Sequence, residues 1–168
     1  MTREEFVGRF GGLFEHSPWV AEGAWYDGLD TADTVVLHTR MCAVLQAATH
    51  EQQLAVLNAH PDLAGRLALA GRLTADSTAE QASAGLDKCS PEEFARLQEL
   101  NEAYKARFGF PFIMAVKGRT RAEIIQAFEE RVNNDAETEF ATALGQVERI
   151  ALLRLEQILG EESHHGGR

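Results

Sequence analysis

A helix-start signature recurs along the whole chain, each time followed by apolar residues at helical spacing. No other feature restricts the fold as much. Thr2-x-x-Glu5 is a capping-box pattern ahead of the stripe Phe6, Phe10, Leu13 and Phe14. Ser17-Pro18 reads as an N-cap followed by proline at the first helical position, opening a short helix through Trp19. Asp33 starts a helix with the stripe Leu37, Met41, Val44, Leu45 and Ala48, and Leu54 and Leu57 belong to another that Pro61 stops. Ser77-x-x-Glu80 and Ser90-Pro91-Glu92-Glu93 are further starts, the second leading into Phe94, Leu97, Leu100 and Tyr104 and ending near Phe108-Gly109. Thr120 opens a helix carrying Ile124, Ile125, Phe128 and Val132. Asn133-Asn134 breaks it, and Asp135 begins the longest helix, to about Leu159. The expectation is an all-α fold, a single compact helical domain of about eight helices over residues 1–160, followed by a polar, disordered tail at 161–168.

Composition narrows the function classes. The chain has 168 residues, enough for one well-buried domain, and 45% of them are hydrophobic, which argues for a packed core. A formal net charge of −10 argues against nucleic acid and against an anionic membrane surface, because both require a basic face. No apolar run approaches the ~20 residues that span a bilayer. Cys42 and Cys89 form no CxxC pattern, and no leader is visible at Met1-Thr2-Arg3, so a cytoplasmic chain with free thiols is expected. His16, His38 and His50 show no metal-ligand spacing, so no metal is expected.

Four places could carry chemistry. His60 precedes Pro61, which pushes it out of α geometry at a helix end, where the helix dipole favours a protonated imidazole. It suits general acid–base work, or else caps a terminal carbonyl. Glu80 could orient His60, with Gln81 beside it, or could fold back on Ser77 as an ordinary capping box. Phe108-Gly109-Phe110-Pro111-Phe112-Ile113-Met114-Ala115 reads as an extended, half-buried loop. Its N–H groups must find acceptors, which a ligand's carbonyls or developing negative charge could supply; otherwise the segment is a hydrophobic plug connecting two helices. Arg154 falls on the apolar face of the last helix with Phe140, Val147, Ile150, Ala151, Leu155 and Ile158, and there it needs an anionic or carbonyl partner, from the protein or from a ligand. Arg149 lies on the polar side.

Taken in order, His60-Pro61-Asp62-Leu63-Ala64, Leu73-Thr74 with Ser77, Glu80-Gln81, Ala84-Gly85-Leu86, Phe108-x-Phe110-Pro111-Phe112, and Gln146-Val147 with Arg154-Leu155 make a specific set. The chain resembles the 2-oxo-4-hydroxy-4-carboxy-5-ureidoimidazoline (OHCU) decarboxylases of purine catabolism, nearly from end to end. The resemblance implies an all-α homodimer that forms (S)-allantoin and carbon dioxide without a cofactor. It implies His60 as catalytic acid–base with Glu80 as its partner. It also implies that Pro61, Ser77, Gln81, Phe112, Ile113, Met114 and Arg154 meet the substrate. Two other readings stand beside it: a hydrolase of a related ureide in which His60 activates water, and a non-catalytic helical dimerisation module.

Overall fold

The computed structural model describes residues 1–60 and 91–166, with side-chain surroundings up to residue 160. Among the described residues every regular element is helical: α1 (Arg3–Phe10), a 3-10 turn (Gly11–Leu13), α2 (Trp19–Ala24), α3 (Thr34–Ala47), α4 (His50–Ala59), α5 (Pro91–Phe108), α6 (Arg121–Arg131) and α7 (Ala136–Gly166). The all-α expectation holds. The helix start expected at Ser77-x-x-Glu80 lies outside the described residues.

The helix starts follow from local chemistry. Thr2 accepts from the Glu5 N–H at 3.2 Å, Asp33 from Val36 at 3.1 Å, Thr120 from Glu123 at 3.2 Å and Asp135 from Thr138 at 2.7 Å. Each bond satisfies one of the donors that a helix leaves open at its first turn. Ser17 departs from expectation: its hydroxyl donates to the Glu15 carbonyl at 2.8 Å, and Pro18, not serine, occupies the N-cap of α2. α4 has a start that the stripe pattern did not single out. The Thr49 N–H donates to Gln52 Oε1 at 3.0 Å while the Gln52 N–H donates to Thr49 Oγ1 at 3.1 Å, a reciprocal capping box. α7 continues to Gly166, past the end expected near Leu159.

The chain divides into two compact units, Met1–Ala59 with Gly145–Arg168, and His60–Leu144. In the first, Phe6, Phe10, Leu13, Phe14, Val20, Leu37, Met41, Leu45, Val56 and Leu57 are buried, together with Val147, Ala151 and Leu155 of α7. α2 and α3 approach closely at Gly23, where an added Cβ would lie 2.9 Å from Val44 Cγ1, so only glycine fits without a shift. Arg40 ties the same two helices by donating through Nε to the Ala24 carbonyl at 2.7 Å, which satisfies a terminal acceptor of α2. His38 Nε2 lies 2.8 Å from the Glu148 carbonyl and 3.3 Å from Cys42 Sγ. Burial, then the Glu148 carboxylate, pushes the Cys42 thiol up to about 12. It is therefore a small apolar filler at neutral pH, not a nucleophile.

In the second unit Leu97, Leu100, Tyr104, Phe110, Phe112, Ile113, Ile124, Phe128, Ala143 and Leu144 are buried. Arg121 pairs with Glu93 at 3.1 Å and Arg96 with Glu129 at 3.2 Å, joining α5 to α6 near the surface. Exposed pairs of this kind contribute little, typically 0–1 kcal/mol, so the aromatic contacts described next carry most of the cohesion.

Candidate active site

His60 follows directly on α4, in a bend and not in the helix, and is 7% exposed. The helix end and the departure from α geometry are those expected before Pro61. Pro61, Ser77, Glu80 and Gln81 lie outside the described residues. Among the described residues no three His, Cys, Asp or Glu side chains gather as a metal centre would need.

The phenylalanine–proline loop is extended and more deeply buried than expected, with Phe110, Phe112 and Ile113 each at or below 3% exposure and Met114 half-buried. α5 ends at Gly109, whose φ of +79° is the left-handed conformation glycine adopts freely, and whose N–H returns to the Lys105 carbonyl at 2.9 Å. This turn reverses the chain into the loop. Tyr104 then meets the rings of Phe110, Phe112 and Phe128 edge-on at 5.8, 5.4 and 5.9 Å, while Phe112 stacks on Phe128 at 3.8 Å.

A buried polar group holds the loop in place, and the sequence reading did not identify it. Arg131 lies with its guanidinium carbon 4.4 Å over the Phe112 ring and donates through Nη1 to the Ile113 carbonyl at 2.7 Å. Its Nε and Nη2 reach Glu139 Oε2 at 2.8 and 2.7 Å. The Tyr104 hydroxyl donates to the same oxygen, and Asn134 Nδ2 donates to Oε1 at 3.1 Å. Glu139 is wholly buried. Burial first, and the neighbouring Glu139 carboxylate second, hold the Tyr104 phenol well above its ordinary range, so it remains a donor. A buried ion pair of this kind is tolerated because its charges meet; removing one partner would be costly. A readable signal did exist, because Glu139 falls one helical turn before Ala143 and two before Val147 on the buried stripe of α7. Among the described residues no main-chain carbonyl accepts from the N–H groups of Ile113 or Met114. Arg131 secures the carbonyl side of the loop through Ile113.

Arg154 has both kinds of partner its position demands. Nη2 lies 2.6 Å from Glu15 Oε1, and Nη1 donates to the Leu13 carbonyl at 3.3 Å. The arginine side chain is 36% exposed and that of Glu15 23%. One N–H on each terminal nitrogen is used, which leaves Nε–H and two further donors for another acceptor. Arg149 is exposed, as expected.

The family model for OHCU decarboxylase matches residues 1–156. The chain belongs to the OHCU decarboxylase family. It is 44% identical over 159 residues to the 2-oxo-4-hydroxy-4-carboxy-5-ureidoimidazoline decarboxylase of Haloferax volcanii, covering 95% of this chain and 92% of that one. It is 42% identical over 163 residues to the enzyme of the same name from Halalkalicoccus jeotgali, covering 93% and 86%. It also resembles the crystal structure of (S)-allantoin synthase, with a TM-score of 0.74 and 32% identity, over 94% of this chain and 51% of that longer one. The family likeness was legible in the ordered motifs.

Proposed function

We propose that this chain decarboxylates 2-oxo-4-hydroxy-4-carboxy-5-ureidoimidazoline to (S)-allantoin and carbon dioxide in uric acid degradation, without a cofactor. The observation that carries this reading is the family match over residues 1–156, joined by relatives of that name that align over nearly their whole lengths. The chemistry needs little equipment. The carboxylate leaves from a carbon adjacent to a C=N bond, which accepts the electron pair, so the substrate supplies its own electron sink. His60, oriented by Glu80, takes the proton of the neighbouring hydroxyl as carbon dioxide departs. A proton delivered to one face of the ureido-bearing carbon then sets the S configuration, and the nitrogen that received the electron pair takes a second proton from solvent.

Pro61, Ser77, Gln81 and Arg154 bind the substrate, and Phe112, Ile113 and Met114 line it. Arg154 donates to ring or ureido carbonyls, since clamping the departing carboxylate would stabilise the ground state. The donors left over on Arg154, and the amides of Ile113 and Met114, which donate to no main-chain carbonyl among the described residues, support these roles. Residues 1–160 form the catalytic domain, with the polar segment 161–168 outside it. The family resemblance supports a homodimer, and the free thiol of Cys42 suits a reducing, cytoplasmic setting.

The deciding experiment generates the unstable substrate in situ and follows chiral allantoin by circular dichroism. Rapid appearance of the S enantiomer with stoichiometric carbon dioxide is expected. Racemic product at the uncatalysed rate would refute the assignment, and ammonia release without carbon dioxide would point to a ureide hydrolase instead.

A further inference from the structure

We propose that Glu15 is a specificity-determining residue: by pairing with Arg154 it makes that arginine a donor to neutral carbonyls and denies it to carboxylates. The inference rests on the reading of Arg154 as a substrate-binding residue and goes one step beyond it.

The geometry is built for a permanent partnership. One short segment holds the guanidinium twice, through the Leu13 carbonyl at 3.3 Å and the Glu15 carboxylate at 2.6 Å. The segment is itself fixed: the Ser17 N–H closes a turn onto the Phe14 carbonyl at 3.1 Å, and the Ser17 hydroxyl donates to the Glu15 carbonyl at 2.8 Å. Ser17 is 4% exposed, so this bond is shielded from water. Between them His16 takes a φ of +48°, a conformation rare for residues other than glycine and kept only where the surroundings impose it. The turn thus delivers the Glu15 side chain at a set position instead of leaving it to wander.

The electrostatic consequence follows directly. With Glu15 in contact, the pair carries no net charge, while three N–H donors of Arg154 remain. A neutral carbonyl accepts from those donors without penalty. A carboxylate in the same position also meets the Glu15 carboxylate within a few ångströms and is repelled. For a decarboxylase this is the useful preference, because the group that must leave is the one that should not be gripped.

Binding of two ligands separates the possibilities: uncharged (S)-allantoin and its ring-opened, carboxylate-bearing form, each measured by calorimetry on the wild type, Glu15→Gln, Glu15→Asp and Arg154→Ala. The wild type should prefer allantoin. Glu15→Gln keeps the shape and an acceptor but frees the guanidinium charge. It should move the ratio about tenfold toward the carboxylate, less at high salt. In the same variant KM and kcat should both fall, as ground-state clamping requires. Glu15→Asp keeps the charge and should keep the preference. Equal changes for both ligands in Glu15→Gln, or loss of the preference in Glu15→Asp, overturns the proposal, as does a Glu15→Gln protein that fails to fold while Glu15→Asp binds both ligands alike. If Arg154→Ala instead binds allantoin as tightly as the wild type, the reading of Arg154 as a substrate-binding residue is what fails.

Discussion

The Tyr104–Arg131–Glu139 group yields a quantitative prediction. Glu139 is 0% exposed and accepts from Arg131 Nε at 2.8 Å, from Asn134 at 3.1 Å and from the Tyr104 hydroxyl, with Arg131 Nη2 in ion-pair contact at 2.7 Å. Tyr104→Phe keeps the ring and its three edge-on contacts and removes one charge-assisted bond, for which about 1.5–3 kcal/mol is usual. The lower end applies because Arg131 and Asn134 still donate to Glu139. Arg131→Met removes the ion pair and hydrogen bond to Glu139 and the bond to the Ile113 carbonyl, and leaves a buried carboxylate without its cation, at a cost of about 3–5 kcal/mol. That is a large share of the ~5–15 kcal/mol by which domains are stable. Replacing both charges, in Arg131→Met with Glu139→Leu, leaves no stranded ion and should be about 2 kcal/mol more stable than Arg131→Met alone. Urea unfolding followed by far-ultraviolet circular dichroism measures all three. At ~2–4 °C per kcal/mol for a chain of this size, Tyr104→Phe should lower Tm by about 3–6 °C. If Arg131→Met stays within about 1 kcal/mol of the wild type, or the double variant is no more stable than the single one, the group does not hold the loop.

Catalysis makes its own demand: His60→Ala and Glu80→Ala should each lower turnover by a factor on the order of 10² or more in folded protein, while Arg154→Ala should chiefly raise KM. Full activity in folded His60→Ala would remove the proposed mechanism. Cys42, its thiol pushed up to about 12 from 9.0, keeps its proton where the unfolded chain loses it. Its contribution to stability is therefore present below 9 and lost as pH rises toward 12, and in a Cys89→Ser background its alkylation near pH ~8 should be much slower than that of an unfolded control. A thiol titrating at its ordinary value would contradict this. Gly109→Ala should cost about 1–2 kcal/mol, since φ is +79° there and a Cβ is disfavoured in the left-handed region; a neutral effect in thermal melts would show that the turn relaxes.

Helix starts were legible because capping is decided within three or four residues. Thr2, Asp33, Thr120 and Asp135 each accept the N–H that the spacing assigned to them. Ser17 was misread for an equally local reason. Once the Phe14–Ser17 turn forms, the Glu15 carbonyl is the nearer acceptor for its hydroxyl, and proline takes the cap. Gly23 carried no signal, because its requirement comes from Val44, which belongs to a different helix. Periodicity located the stripe of α7 but not its continuation to Gly166, since the apolar spacing stops and Gly160 stands where a helix often ends, yet the helix runs through it.

The site was legible only as far as a single residue can announce a need. Arg154 on an apolar face required an anion or a carbonyl, and both are there, but the carboxylate that answers it stands 139 positions away in sequence. No spacing rule reaches that far. Glu139 made the same announcement from the same stripe, with partners 8 and 35 positions away. A charge on a buried helical face thus specifies the chemistry of its neighbour and says nothing of where in the chain that neighbour lies. The two acidic answers also differ in kind. Glu139 is wholly buried among Arg131, Tyr104 and Asn134, out of reach of a ligand, so its role ends with the loop it supports. Glu15 occupies only part of Arg154, and the donors it leaves free are the ones a neutral carbonyl can use.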